Sequence, residues 1–133
     1  MTHYNLDIVT PMQNLDVIEV NYLRCPGIDG SFGIMANHQD GVFSLDIGEI
    51  MIQSESDTKF YSTSGGFAEI NENEVCLLVE TIEVSSDIDI SRAESALLRA
   101  NERKTKRNEE DLDEVRMESS LSRALNRLRV AKR

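Results

Sequence analysis

The apolar residues of this chain change their spacing at one place, Asp87-Ile88-Asp89-Ile90-Ser91-Arg92-Ala93. Before it, apolar and polar residues alternate in short runs, the period-2 pattern of half-buried strands; after it, apolar residues recur three and four apart, as on one face of a helix. Ser91 with Glu94 three positions on has capping-box spacing and predicts a helix start here. The 133 residues thus divide into 1–86 and 87–133. The predicted fold class is α+β: an N-terminal antiparallel β-sandwich followed by a C-terminal two-helix antiparallel hairpin.

Tyr4, Leu6 and Ile8 alternate with Asn5 and Asp7, and Pro11 closes that strand. Ile18, Val20 and Tyr22 predict a second strand, with a turn at Pro26-Gly27. Gly27 to Ile34 carries three glycines, which predicts tight turns or close backbone approach. It has neither G-x-x-x-x-G-K-[ST] nor G-x-G-x-x-G, so it is not a phosphate cradle. Further strands are expected at 42–46, 49–53, 59–62, 67–70 and 75–80, with a short last one at 81–84. Gly66–Ile70 and Val75–Val79 are the most apolar and should sit centrally.

Charge separates the two parts. Residues 1–86 hold 14 acids and two bases, whereas 87–133 hold 10 acids and 12 bases, nine of them arginine. An acidic β-part argues against nucleic acid, whose phosphates require a basic footprint. No apolar run is long enough to span a membrane. Met1-Thr2-His3-Tyr4 opens almost directly into a strand pattern with no signal or transit segment, so a cytosolic address is expected. Cys25 and Cys76 form no disulfide framework or zinc spacing and read as buried strand thiols. His3 and His38 have no ligand-like neighbours, Ser64 is not in a G-x-S-x-G elbow, and the carboxylates are scattered. An enzyme is therefore not expected.

From Ile90 the seam of the first helix runs Ile90, Ala93, Leu97, Ala100, fading near Lys106-Arg107-Asn108. The second helix is expected to start at Asn108 or Asp111, with Glu109, Glu110 and Asp111 at its positive end. Its seam is Met117, Leu121, Ala124, Leu128, Ala131, with Leu125 beside it. An alanine-rich seam buries little area, so the hairpin should be weakly held. Arg92, Arg99 and Arg103 share one helical face, and Arg116, Arg123 and Arg127 share another with the same spacing. The stripes have two readings. They are solvated faces paired with Glu94, Glu102 or Glu118, or they converge on an anion that relieves their repulsion.

Leu6-Asp7-Ile8-Val9-Thr10-Pro11, Gly30-Ser31-Phe32-Gly33-Ile34 with His38 following, Ser64-Gly65-Gly66-Phe67-Ala68-Glu69-Ile70 and Ile88-Asp89-Ile90-Ser91-Arg92-Ala93 occur in that order. In their order and spacing they resemble the epsilon-subunit family of the F-type ATP synthase, over essentially the whole chain. The resemblance implies a non-catalytic, regulatory and structural subunit, peripheral on the cytoplasmic face of the inner (plasma) membrane as part of the complex, with no membrane insertion. It implies a sandwich that clamps the shaft (gamma) subunit and rests on the membrane rotor ring of c subunits. It implies a hairpin that folds down on the sandwich or extends into the catalytic head, against its beta subunits, and blocks ATP hydrolysis. No cofactor is required, but several bacterial members bind ATP as a regulatory ligand through I/L-D-x-x-R-A, which Ile88, Asp89, Arg92 and Ala93 match. By that resemblance Glu83, Ile88 and Asp89 lie near the adenine, and Arg92, Arg99, Arg123 and Arg127 meet the phosphates. Ser31 belongs to the ring-facing loop and His38 to a neighbouring rotor contact. Two departures stand out: the family's Pro-Gly-His or Pro-Asn-His followed by Ala-Pro reads Ala36-Asn37-His38-Gln39-Asp40 here, and Ser31 replaces an acid found in some members. From the residues alone, the alternative is a β-sandwich/coiled-coil adaptor that binds a helical partner without nucleotide.

Overall fold

Alternation along the first strand sets the inside of the molecule: Tyr4, Leu6 and Ile8 are buried and Asn5 is exposed. The computed structural model describes residues 3–105 and 114–133. In order they form β1 (Tyr4–Val9), β2 (Asn14–Val20), β3 (Tyr22–Gly27), β4 (Gly30–Met35), β5 (Gly41–Leu45), β6 (Gly48–Gln53), β7 (Thr58–Thr63), β8 (Gly66–Asn71), β9 (Glu74–Val79), β10 (Ile82–Val84), a 3-10 turn at Ser85–Asp87, α1 (Ile90–Thr105) and α2 (Glu114–Ala131). The sheet order is β10-β7-β6-β3-β5-β8-β9-β1-β2, with β4 on the free side of β3. Only Gly27 opposite Leu45 joins β3 to β5. The sheet therefore bends there into two layers.

The layers enclose one core. Leu23, Cys25, Ile34, Ile50 and Ile52 come from one side, and Leu6, Ile8, Ala68, Ile70, Leu77 and Val79 from the other. The Tyr4 hydroxyl crosses between them to the Ile34 carbonyl at 2.6 Å. A buried phenol keeps its proton more firmly, and burial moves the Tyr4 pKa well above its ordinary value.

Several elements depart from the sequence-based expectation. β1 pairs with β9 in parallel, Leu6 beside Val75 and Ile8 beside Leu77, so the sandwich is antiparallel with one parallel seam. Tyr22 starts β3 rather than ending β2. Pro26-Gly27 is not the turn: both pair within the β3–β4 hairpin, whose loop is Ile28-Asp29. The missing Pro26 N–H costs nothing to the ladder there, and its carbonyl accepts from Asp46 N at 2.8 Å. The glycine-rich run does supply the tight turn and the close approach expected of it: Gly30 stands at φ 124 after the Ile28-Asp29 loop, and a Cβ on Gly33 in β4 would stand 2.6 Å from the Tyr22 hydroxyl.

The joint into α1 is capped by Asp89 and not by Ser91. Asp89 Oδ1 accepts from the Arg92 backbone N–H at 3.0 Å, and the Asp89 carbonyl accepts from Ala93 N at 2.9 Å. An acid in this place also meets the positive end of the helix dipole. Ile90, expected in the seam, is 43% exposed, whereas Ala93 and Ala100 are buried. The helices run antiparallel: Ala93 clusters with Val130 near the base, and Lys104 pairs with Glu118 at 3.1 Å farther out. The expected α2 start at Asn108 or Asp111, with Glu109 and Glu110, lies outside the described residues.

Candidate functional site: the sheet face under the second helix

Strand register defines the face on which α2 lies. Arg24 of β3 stands opposite Met51 of β6, Met51 opposite Phe60 of β7, Glu49 opposite Ser62, and Ser62 opposite Glu83 of β10. Period-2 alternation puts all of these on one side, away from Ile50 and Ile52 in the core. They form a mixed surface of two acids, one arginine, one hydroxyl, one methionine and one aromatic ring.

α2 meets it with a stripe beside its apolar seam. Val130 is fully buried in a small cluster with Ile88 and Ala93, against Phe60. Asn126, 7% exposed, donates from Nδ2 to the Gly48 carbonyl at 2.7 Å and to Ser62 Oγ at 3.0 Å. Arg127 grips Glu83 with two parallel bonds, Nε to Oε1 at 2.9 Å and a terminal nitrogen to Oε2 at 3.0 Å. That hydrogen bonding raises the Arg127 pKa above the ordinary arginine value. Arg133 grips Glu49 in the same way, at 2.8 and 2.7 Å, and its guanidinium lies 4.3 Å from the Phe60 ring centre.

The resemblance-derived nucleotide residues are distributed unevenly around this face. A cavity of about 470 Å³ brings Glu83, Arg123 and Arg127 together with Ser64, Glu80 and Thr81. Asp89, Arg92 and Arg99 do not line that cavity. Asp89 is occupied as the α1 cap, and Arg92 and Arg99 are exposed on α1. Ile88 is 6% exposed and packs against Val130. The cavity thus sets two carboxylates against two guanidinium groups, and Arg127 is already spent on Glu83. A polyphosphate there would meet Arg123 directly and would have to displace Glu83 to reach Arg127.

The two residues assigned to the rotor contact lie at opposite ends of β4. Ser31 is exposed beside the β3–β4 loop. His38 follows the far end of the strand, where its Nδ1 lies 2.8 Å from the Gln39 carbonyl and its ring meets Phe43 edge-on at 5.7 Å. Four strand steps separate Ser31 from Met35 alone, about 13 Å at the usual rise.

Residues 3–85 match the family described as ATP synthase, Delta/Epsilon chain, beta-sandwich domain, and residues 86–132 match its long alpha-helix domain. The chain belongs to the ATP synthase delta/epsilon family. An ATP synthase epsilon chain of Nitratidesulfovibrio vulgaris is 38% identical to it over 95% of this chain and 93% of the relative. The epsilon chain of Halalkalibacterium halodurans is 35% identical over the full length of both. Among solved structures, a chain of the Euglena gracilis mitochondrial ATP synthase (OSCP/F1/c-ring) superposes with a TM-score of 0.81 at 21% identity, covering 99% of this chain and 82% of the other. A chain of the Tetrahymena thermophila mitochondrial ATP synthase central stalk/c-ring gives 0.62 at 14% identity, covering 97% and 93%. At those identities the structural likeness speaks for the delta/epsilon fold.

Sequence reasoning on this delta/epsilon chain missed Asn126, Val130, Arg133 and Glu49. The available signal was a second stripe on α2, with Asn126, Val130 and Arg133 four and three apart beside the apolar seam.

Proposed function

We propose that this chain serves as the epsilon-type subunit of a rotary F-type ATP synthase, a non-catalytic part of the central stalk. On this reading the sandwich engages the shaft and the rotor ring, and the complex carries the chain to the membrane surface; no described helix is long and apolar enough to cross it. The hairpin is an arm that rests on the sandwich, and on release it reaches the catalytic head and suppresses ATP hydrolysis. The observation that carries the arm is the character of its seat: a small apolar cluster, Ile88, Ala93 and Val130 with Phe60, Leu128 and Ala131 packed at its edge, flanked by polar fasteners at Asn126, Arg127 and Arg133. Such an interface opens without exposing a large apolar surface. ATP acts as the ligand that favours the seated arm, with Arg123 and Arg127 toward its phosphates. A ligand bound only to the seated state at a hundredfold excess over Kd favours it by about 2.7 kcal/mol.

The test is reconstitution with the other stalk and head subunits, comparing hydrolysis with the full chain and with a chain ending at residue 86. Co-purification with faster hydrolysis after truncation is expected. Failure to join the complex would remove the reading. A nucleotide-free adaptor is favoured by one observation, the Arg127–Glu83 pair, which seats the arm with no added anion. Absence of any ATP heat in calorimetry, with binding to the shaft intact, would select it.

A further inference from the structure

We propose that Glu49 is the receptor of a latch: a carboxylate held in place by Arg24 that captures the Arg133 side chain and keeps α2 seated independently of any nucleotide. The inference rests on the reading of the hairpin as a movable arm and adds a second fastener, away from the Glu83 cavity.

The receptor is built into the sheet. Arg24 faces Met51 across the β3–β6 ladder, so Glu49 is its diagonal neighbour on the same face. A terminal nitrogen of Arg24 donates to Glu49 Oε1 at 3.2 Å. Both residues belong to paired strands, so their backbones keep this spacing whether or not the arm is down. The Glu49 side chain is only 15% exposed, and its two oxygens receive the fork of Arg133. The guanidinium is thus bonded to the carboxylate through two nitrogens while its central carbon lies over the Phe60 ring. A planar fork fits both contacts, whereas an ammonium group makes one point contact. Arg133 is placed by α2 itself: its backbone N–H closes the last turn on the Val130 carbonyl at 3.0 Å, and Val130 is the fully buried anchor of the helix.

The two fasteners use different strands. Arg127 reaches Glu83 on β10, and Arg133 reaches Glu49 on β6 from the other side of the same helix. The cleft beside the latch, about 960 Å³, is lined by Arg24, Asp46, Glu49, Glu118, Arg129 and Arg133 among others, so the group that Arg133 meets sits among mixed charges open to salt. An anion arriving at Arg123 and Arg127 leaves the latch untouched. Both fastenings are ion pairs that weaken as ionic strength rises, but only the one at Glu83 exchanges with polyanions.

Hydrogen exchange on the full chain, without nucleotide at low salt, reads the seating of α2. Glu49→Gln and Arg133→Lys are each expected to speed exchange of the amides from Leu121 to Ala131 about two- to fivefold, with β3 and β6 unchanged. Raising salt should speed the wild type toward the variants and speed the variants by less, through the remaining Arg127–Glu83 pair. Arg133 lies outside the sheet, so its variant keeps the test valid if Glu49→Gln disturbs β6. Wild-type protection of α2 in Arg133→Lys, or protection insensitive to both salt and Glu49→Gln, would overturn the latch. In the reconstituted complex the freed arm should inhibit hydrolysis more strongly. Faster exchange with unchanged hydrolysis would keep the latch and remove the regulatory reading instead.

Discussion

The side-chain amide of Asn126 is bonded to the Ser62 hydroxyl 64 positions earlier, at 3.0 Å, and both residues are buried by the contact. Each is polar: the Ser62 hydroxyl accepts from Asn126, and the Asn126 amide has the Gly48 carbonyl as its second acceptor. Asn126→Leu removes the donor and leaves the Ser62 hydroxyl and the Gly48 carbonyl under an apolar side chain. It should weaken seating of α2 by about 1–3 kcal/mol, whereas Ser62→Ala, which deletes one acceptor of two, should cost about 1 kcal/mol. Exchange rates of α2 amides in the two single variants and the double variant measure both and their coupling; additive effects would deny the pairing.

Glu83 competes with any anion for Arg127. Glu83→Gln should therefore tighten ATP or inorganic triphosphate binding by roughly threefold to tenfold, since an opposing charge leaves the cavity and Arg127 is freed. Arg123→Ala and Arg127→Ala should each weaken it. Titration calorimetry reads all three, and a weaker signal from Glu83→Gln would assign Glu83 to direct ligand contact instead.

Stability should fall on the alkaline side. Burial pushes the Cys25 thiol up to about 12 from 9.0. Above pH 9 the unfolded chain releases this proton and the folded chain keeps it. The native state then binds more protons, and stability drops with rising pH by about 1.4 kcal/mol per unit until the folded pKa is reached. Below pH 9 this contribution is fully present. Burial raises the Tyr4 and Tyr61 phenols in the same direction. Chemical denaturation at pH 8 and pH 10.5 should show the loss, and Cys25→Ala should show a smaller one between the same two points.

Gly66 sits at φ +150 and Gly65 at φ +112 where β8 begins. A Cβ on Gly66 would run into the Leu78 carbonyl oxygen and come within 2.7 Å of the Val79 Cα on β9. Gly66→Ala should destabilise the sandwich by about 2 kcal/mol or more, through forced separation of a central strand pair and an unfavourable backbone conformation. Thermal melting measures it, and an unchanged midpoint would reject the account.

The division into strands then helices was legible because it rests on periodicity, which sequence carries directly: β8 and β9 lie inside their layer as their apolar runs predict, whereas the expected fading of the first helix near Lys106-Arg107-Asn108 lies outside the described residues. The parallel β1–β9 seam was not legible, since nothing in either strand states which neighbour it will take. The helix cap was misplaced because Ser and Asp are both good caps, and the residue types at 89 and 91 do not say which of them bonds the first turn. The docking face escaped notice for a related reason. Glu49, Ser62, Asn126 and Arg133 read as ordinary polar residues, and Glu83 and Arg127 read as nucleotide contacts rather than as each other's partners. Their meaning comes from partners 44 to 84 positions away.

The parallel seam fixes an order of events during synthesis. β1 is made first, yet its parallel neighbour β9 emerges about 70 residues later, and Leu6 and Ile8 have no seat beside Val75 and Leu77 until then. A nascent chain halted before residue 74 should thus be readily cut by protease, and one extended past β10 should resist. Because β10 follows directly, the surface that receives α2 is finished just before the helices themselves leave the ribosome, so the arm is born facing a completed berth and never has to displace anything to occupy it.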